Sequence, residues 1–368
     1  MSVRRRVAVI GIALAIIATA GILYFKPEGL NRTEPLIPST YRTINGPYAV
    51  TYDFISPSHG WALVSTYESS TFFVFKTTNA AESWQKQYSG PPGAGWPRSL
   101  HFFDERNGFL YGGETYRTVD GGDHWQVVQS PGPGAQVSFC SPLEGWGQVF
   151  DSDGLHVYRT EDGGVTWHRT SADPPEPAIF QPFGGDREPA FRSGGEGWFG
   201  ADQQPGAVVF VTHDGGSSWD VIDLRLGTDV YGTSVRIVGN TSVAVFVIGE
   251  GAVGGLGQTL LSSDGGLHWH VVAFPIPGLS SGDTSFVDTD HWWVFNSGLV
   301  YLTGDGGRSW TRTRDFDFTI DWRPLNAGAI DAKHAWRTLT STANSQVAAL
   351  AMTADGGLHW RLVNAPQP

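Results

Sequence analysis

The 368-residue chain contains one cysteine and two methionines. A lone Cys140 excludes an intramolecular disulfide and any cysteine-based metal site. Its neighbours Val137-Ser138-Phe139 read as a strand, which makes Cys140 a small buried apolar residue. Basic residues are scarce: 24 Lys and Arg stand against 36 Asp and Glu, a formal net charge of −12. That balance argues against nucleic acid as a partner, because phosphate neutralisation needs clustered Lys and Arg. No stretch after residue 28 carries the 3.6-residue apolar period of a helix. There is no HExxH, no phosphate loop and no GxSxG elbow. Neither a metal site nor a cofactor is expected.

Glycine and tryptophan are abundant, at 48 and 15. Such a composition favours short strands joined by tight turns. The N-terminus differs from the rest. Arg4, Arg5 and Arg6 precede an uncharged run from Val7 to Phe25, and Lys26 closes it. Positive charge ahead of an apolar run marks a secretory signal or a membrane anchor with the rest of the chain outside. Residues 7–25 are just long enough to span a bilayer core as a helix. Ala18-Thr19-Ala20 fits a cleavage site, but the apolar run continues beyond it, which favours an uncleaved anchor. The chain therefore divides into a signal or anchor helix at 1–28, a tether at 29–45 and a single domain at 46–368. That domain is held at the cell membrane outside the cytoplasm, or is secreted if the signal is cleaved.

One short motif recurs along that domain. TVDGGDHW ends at Trp125, TEDGGVTW at Trp167, THDGGSSW at Trp219, SSDGGLHW at Trp269, TGDGGRSW at Trp310 and TADGGLHW at Trp360. A worn copy, TTNAAESW, ends at Trp84. The tryptophans lie 41 to 52 residues apart, a period that signals a propeller or solenoid. Ahead of each box stands an alternating strand, a polar turn and often Gly-Trp, as in VTYDFISPSHGWALV and VSFCSPLEGWGQVF. Each unit thus reads as four strands. Seven such units predict an all-β, seven-bladed β-propeller of four-stranded antiparallel blades.

The box explains itself as a hairpin fastener. Its glycines tolerate positive φ. The carboxylates of Asp120, Asp162, Asp214, Asp264, Asp305 and Asp355 can accept backbone N–H bonds across the turn. Trp125, Trp167, Trp219, Trp269, Trp310 and Trp360 can each bury about 150–250 Å² over it. His124, His268 and His359 occupy a variable slot and read as exposed turn residues. In the worn copy Asn79 keeps the turn, but Ala81 stands where glycine is wanted and costs about 1 kcal/mol if its φ is positive.

The S/T-x-D-x-G-x-T-W pattern resembles the Asp-box, or BNR repeat, of sialidases, sortilin-like receptors and some xyloglucanases. With the strand and Gly-Trp signature beside it, the chain from Tyr48 to Val363 is similar to the photosystem II stability and assembly factor family. That resemblance implies a seven-bladed propeller outside the cytoplasm. It does not by itself carry over the family's role in assembling a photosystem, because Asp-boxes occur in enzymes and non-enzymes alike.

Two other motifs are decoys. Gly249 to Gly254 matches GxGxxG but lacks the helix that a dinucleotide site needs. Asp151-Ser152-Asp153-Gly154 begins like a calcium loop, and Leu155 then takes a ligand position. Candidate binding residues lie instead in the long connections that the boxes leave to the opposite face. They are Trp96 and Arg98; Arg187 and Glu188, beside Asp186; and Asp321, Trp322 and Arg323, after Asp315 and Asp317. Arginines arriving from three blades can converge near the channel and bind carboxylates, with tryptophans alongside. The plainer alternative is that they pair with the nearby acids.

Two functions follow. The first is a monomeric, non-catalytic scaffold that binds a protein partner, such as a subunit of a membrane complex. The second is a glycoside hydrolase using Glu188, Asp186, Asp321 or Tyr231 with the arginines. Against the second, the Arg-Ile-Pro motif of sialidases is absent, and xyloglucanases need two propellers.

Overall fold

The computed structural model describes residues 41–66, 71–90, 97–175, 190–202, 206–226, 230–249, 258–274, 284–296, 298–313 and 321–368. The expected anchor at 1–28 lies outside them. The described residues hold strands and turns and no helix. A two-residue strand, β1 (Ile44–Asn45), comes first. Blade 1 follows as β2 (Tyr48–Phe54), β3 (Gly60–Thr66), β4 (Phe72–Thr77) and β5 (Gln85–Ser89). Blade 2 is β6 (Ser99–Phe102), β7 (Gly108–Tyr111), β8 (Tyr116–Thr118) and β9 (Gln126–Val127). Blade 3 is β10 (Gln136–Phe139), β11 (Gly145–Asp151), β12 (Gly154–Thr160) and β13 (His168–Arg169). Blade 4 is β14 (Ala190–Phe191), β15 (Gly197–Asp202), β16 (Ala207–Thr212) and β17 (Asp220–Asp223). Blade 5 is β18 (Val230–Val238), β19 (Ser242–Gly249), β20 (Gln258–Ser262) and β21 (His270–Val271). Blade 6 is β22 (Thr284–Phe286), β23 (Trp292–Asn296), β24 (Leu299–Thr303) and β25 (Thr311–Arg312). Blade 7 is β26 (Trp322–Ala329), β27 (Ala335–Ser341), β28 (Val347–Thr353) and β29 (Arg361–Val363).

Each blade is an antiparallel meander in chain order, and the seven sheets form the expected seven-bladed propeller. First strands of neighbouring blades approach one another, β2 with β6 and β22 with β26 among them, so they form the inner wall of the ring. The first box residue in the glycine slot bonds back to the turn between strands one and two of its own blade. Gly121 N–H donates to the Arg106 carbonyl at 2.8 Å and Gly356 N–H to Lys333 at 2.9 Å. The boxes and the first turns therefore share one end of the ring, as the meander requires.

The Gly-Trp signature turns out to join blades. Trp61 stacks on Phe102 of the next blade at 3.7 Å, and Trp146 stacks on Phe191 at 3.9 Å. Phe109 stands in the same place on Phe139, at 3.8 Å. The Trp61 indole N–H also donates to the Gly121 carbonyl in the next box at 2.8 Å. The glycine before each aromatic is required by close approach. A Cβ on Gly60 would meet Phe54 at 2.3 Å, and one on Gly197 would meet Phe191 at 1.9 Å. The last aromatic of the first strand lies across that glycine, then meets the box tryptophan edge-on, as Phe102 does Trp125 at 6.0 Å.

The ring closes by sharing a blade between the two ends of the described chain. β1 pairs with the start of β28, Ile44 opposite Ala348 and Asn45 opposite Val347. β29 pairs with the other half of the same edge, from Leu350 to Met352. Blade 7 thus has a composite outer strand that takes in Ile44–Asn45, just ahead of the expected boundary at 46.

Candidate binding site at the ring seam

The box turns are built as fasteners. Thr118 Oγ1 donates to Asp120 Oδ1 at 2.9 Å and accepts the Gly122 N–H at 3.0 Å. The slot four residues after each Asp holds a side-chain donor. Thr166 and Ser218 hydroxyls donate to Asp162 and Asp214 at 2.6 and 2.7 Å. His124 and His268 place Nδ1 at 2.7 Å from Asp120 and Asp264, and His359 at 2.6 Å from Asp355. These histidines are exposed, as expected, and they also complete the turn, which sequence reasoning missed. Hydrogen bonds from Ser218 and Ser309, the hydroxyl first and the backbone N–H next, hold the Asp214 and Asp305 carboxyls down at about 2. In the worn copy Asn79 substitutes for Asp, accepting the Ser83 N–H at 3.0 Å. Ala80 and Ala81 sit at φ 55° and 61°, the strained region that glycine fills elsewhere.

Box tryptophans also bind blade to blade. Trp167 donates its indole N–H to Gln129 at 2.7 Å, Trp219 to Ala172 at 3.0 Å and Trp310 to Ala273 at 3.0 Å. Each acceptor lies just past the fourth strand of the preceding blade. Trp84 repeats the bond across the seam, to the Asn364 carbonyl at 2.7 Å. The junction of last blade to first therefore carries the same bond as these three.

A cavity of about 730 Å³ opens at this seam, on the end of the ring away from the boxes. Its cause is the way the blade 7–blade 1 interface is filled. Towards the boxes, Trp336 meets Tyr52 at 5.6 Å and Phe54 meets Trp84 at 6.1 Å. Two and four residues further along β27, on the same face, stand Thr338 and Thr340. The large side chains stop there, and the joint becomes hollow. The walls come from Ile44 and from Gly46 to Thr51, from Ser345 and Gln346 in the turn between β27 and β28, and from Pro97 and Arg98 ahead of β6. A bulge between Pro324 and Ala327 in β26 puts Leu325 and Asn326 on the rim. Thr338 is 2% exposed, and its Oγ1 has no hydrogen-bond partner among the described residues.

Of the sequence-derived candidates, Arg98 lines this cavity. Its backbone is fixed, with the N–H donating to Tyr111 at 2.7 Å and the carbonyl accepting the Thr51 hydroxyl at 3.2 Å. Arg323 pairs with Thr340 across β26 and β27, so it shares the sheet face from which Thr340 lines the cavity. Both arginines are exposed. No ion pair holds either guanidinium among the described residues, so the pairing with nearby acids is not seen at these two positions. Trp322 is half-buried and packs into the blade 6–blade 7 core, away from the cavity. Asp321 is exposed, and its carbonyl accepts the Thr342 N–H at 2.8 Å. Trp96, Arg187 and Glu188, with Asp186, Asp315 and Asp317, lie outside the described residues, so the convergence of three arginines is not tested. No group of His, Cys, Asp or Glu fit to hold a metal occurs among the described residues. Cys140 is half-buried at the end of β10, and burial pushes its thiol up to about 11. Sequence reasoning missed Thr338, Gly46 and Asn364. The one available signal was the change from Trp336 to Thr338 and Thr340 along one face of a strand.

No protein-family model matches the chain, and no curated protein matches it in sequence. Solved structures share its fold. YCF48 bound to D1 peptide superposes with a TM-score of 0.54 at 14% identity, over 88% of this chain and 99% of that one. YCF48 from Cyanidioschyzon merolae gives 0.52 at 15% identity, over 85% and 98%. An ulvan lyase, a polysaccharide lyase bound to a sulfated saccharide, gives 0.51 at 11% identity, over 88% and 96%. The chain is thus a seven-bladed propeller of an architecture used both by YCF48 and by saccharide-cleaving enzymes. At such identities the likeness concerns the fold alone.

Proposed function

We propose that the chain is a non-catalytic scaffold that binds a segment of a protein partner at the seam cavity. In this reading residues 7–25 tether it to the cell membrane outside the cytoplasm, beside a membrane complex that it helps to assemble or keep stable. The observation that carries the reading is the cavity itself. It has a volume of about 730 Å³ and lies between three blades, with Arg98, ion-paired to none of the described residues, placed to meet a carboxylate of the partner. Its lining holds no Asp, Glu, His or Lys among the described residues. A glycosidase needs two carboxylates flanking the bond to be cleaved, and this lining supplies none. Likeness in fold to YCF48 solved with a D1 peptide supports a protein partner. The likeness to a polysaccharide lyase supports the competing enzyme.

The test sets one against the other. The full chain, purified from membranes, is expected to cleave neither sialosides nor β-glucans nor polyuronates. A photocrosslinker at exposed Leu325 on the cavity rim, in native membranes, is expected to capture one defined protein. Robust saccharide cleavage that Glu188→Gln or Asp321→Asn abolishes would overturn the scaffold.

A further inference from the structure

The cavity and the closure of the ring share one residue pair, Ile44 and Ala348. β1 meets β28 through two residue pairs and no covalent link. Around that short ladder, Asn364 makes a clasp. Its Oδ1 accepts the Arg42 N–H at 3.0 Å, its Nδ2 donates to the Glu82 carbonyl at 2.7 Å, and its carbonyl takes the Trp84 indole N–H at 2.7 Å. Ala365 N–H adds a bond to the Arg42 carbonyl at 2.9 Å. Asn364 thus ties the first strand, blade 1 and blade 7 together, and none of these clasp residues lines the cavity.

The cavity wall lies directly beyond. After β1 the chain crosses from blade 7 to blade 1 in the turn Gly46-Pro47-Tyr48. Gly46 has φ +137°, and a Cβ there would lie 2.6 Å from the Tyr48 ring. Its N–H donates to the Gln346 carbonyl at 2.9 Å. Gly46, Tyr48 and Gln346 are all cavity wall. Opening the seam carries Gly46 to Tyr48 away from Gln346 and removes one side of the site.

We propose that filling this cavity and closing the ring are one equilibrium, latched by Asn364, and that the occupant is a largely apolar stretch of a protein partner offering a carbonyl oxygen to Thr338 Oγ1 and a carboxylate to Arg98 at the mouth. The proposal rests on the seam cavity being the partner site. Its ligand chemistry follows from the wall. Ile44, Val50, Leu63 and Ala348 are apolar, and Thr338 is the buried polar atom left without a partner among the described residues. The coupling follows from linkage. A ligand that touches both sides of the seam binds only the closed ring, so it stabilises closure, and any opening weakens its apparent affinity by the same factor.

The experiment uses the full chain in native membranes, in a Cys140→Ser background, with a photocrosslinker at exposed Leu325 on the rim. Asn364→Ala removes two side-chain hydrogen bonds, and is expected to speed amide exchange at Gly46 and Tyr48 and to lower crosslinking by about tenfold. An oxidised Asn45→Cys/Val347→Cys pair locks the seam through two residues that do not themselves line the cavity. It is expected to restore both readouts in Asn364→Ala, to raise crosslinking in the otherwise unaltered chain, and to lose these effects on reduction. Thr338→Val is expected to lower crosslinking in membranes while leaving exchange unchanged in the purified chain without the partner, because it touches the ligand and not the clasp. Faster exchange in Asn364→Ala with undiminished crosslinking would overturn the coupling while leaving the partner site intact. So would a lock that restores exchange but not crosslinking. No crosslink from the unaltered chain in any form would overturn the partner site and the coupling with it. If Asn364→Ala does not fold, the lock in the unaltered chain decides: unchanged crosslinking on oxidation refutes the coupling.

Discussion

Ala80 and Ala81 are the residues where this chain departs furthest from its own rule. Both occupy left-handed backbone, at φ 55° and 61°, in a turn that six sister copies build with glycine. An alanine there loses about 1 kcal/mol to contact between Cβ and the carbonyl. The two are not equivalent, because Ala81 is fully buried and its methyl fills space, whereas Ala80 is half-buried. Ala80→Gly is therefore expected to raise stability by up to about 1 kcal/mol, the gain being trimmed by the greater freedom of glycine in the unfolded chain. Urea midpoints at constant slope measure it, and a destabilised variant would refute the strain. The strain itself was legible from the letters, since Ala81 stands in a slot that elsewhere demands positive φ. The histidines were less legible. Thr166, Ser218 and His124 look unrelated in sequence, but each offers one donor at the same reach from the carboxylate. A slot that varies by residue type can be fixed by function as a hydrogen-bond donor.

At the scale of the element, the box turns make stability depend on acid. Asp214 and Asp305 are held at about 2 in the folded chain, against about 3.9 when unfolded. Asp162 and Asp264 are lowered further, by the Thr166 hydroxyl in one case and the His268 backbone N–H in the other. A carboxyl depressed by folding adds stability that is complete above its unfolded value and is lost as pH falls through its folded one. Urea midpoints should thus hold from neutrality to about pH 4 and fall steeply between about pH 4 and 2. Asp214→Asn with Asp305→Asn should lower the neutral plateau and flatten that fall; an unaltered acid limb would refute the turns as its cause. His124 works in the opposite sense. Its hydrogen bond to Asp120, and then the charge of Asp120, raise its pKa, so its contribution is present below the unfolded value of about 6.5 and fades as pH rises through the folded one. These elements were readable because the turn chemistry is local: a carboxylate, two glycines and a tryptophan within eight residues specify it. The Gly-Trp pair was readable as the start of a strand but not as a joint. Its partner, the last aromatic of the next blade's first strand, lies some forty residues on, as Phe102 does from Trp61. The cavity was hidden for the same reason, since it arises where Thr338 and Tyr48, distant in sequence, fail to fill a shared interface.

For the whole molecule, the decisive feature is that one blade is completed by strands from opposite ends of the described chain. Each blade buries its faces only against its neighbours, so an open ring exposes the flanks of blades 1 and 7 together. Residues paired directly across antiparallel strands lie within disulfide reach. An Asn45→Cys/Val347→Cys bridge closes a loop of nearly the whole domain, and should raise stability by about 2–4 kcal/mol in a Cys140→Ser background. Guanidinium unfolding with and without reductant measures this, and equal midpoints would show that the seam is no weak point. The closure has a further consequence in time. The chain is made from its N-terminus, and Asn364 and Ala365 of the clasp follow all seven blades in sequence. Until then blade 1 waits with one flank bare, and the cavity does not exist. A partner that needs both of its walls can be engaged only once β29 and the clasp have been made, so products of synthesis that stop short of them do not compete for it.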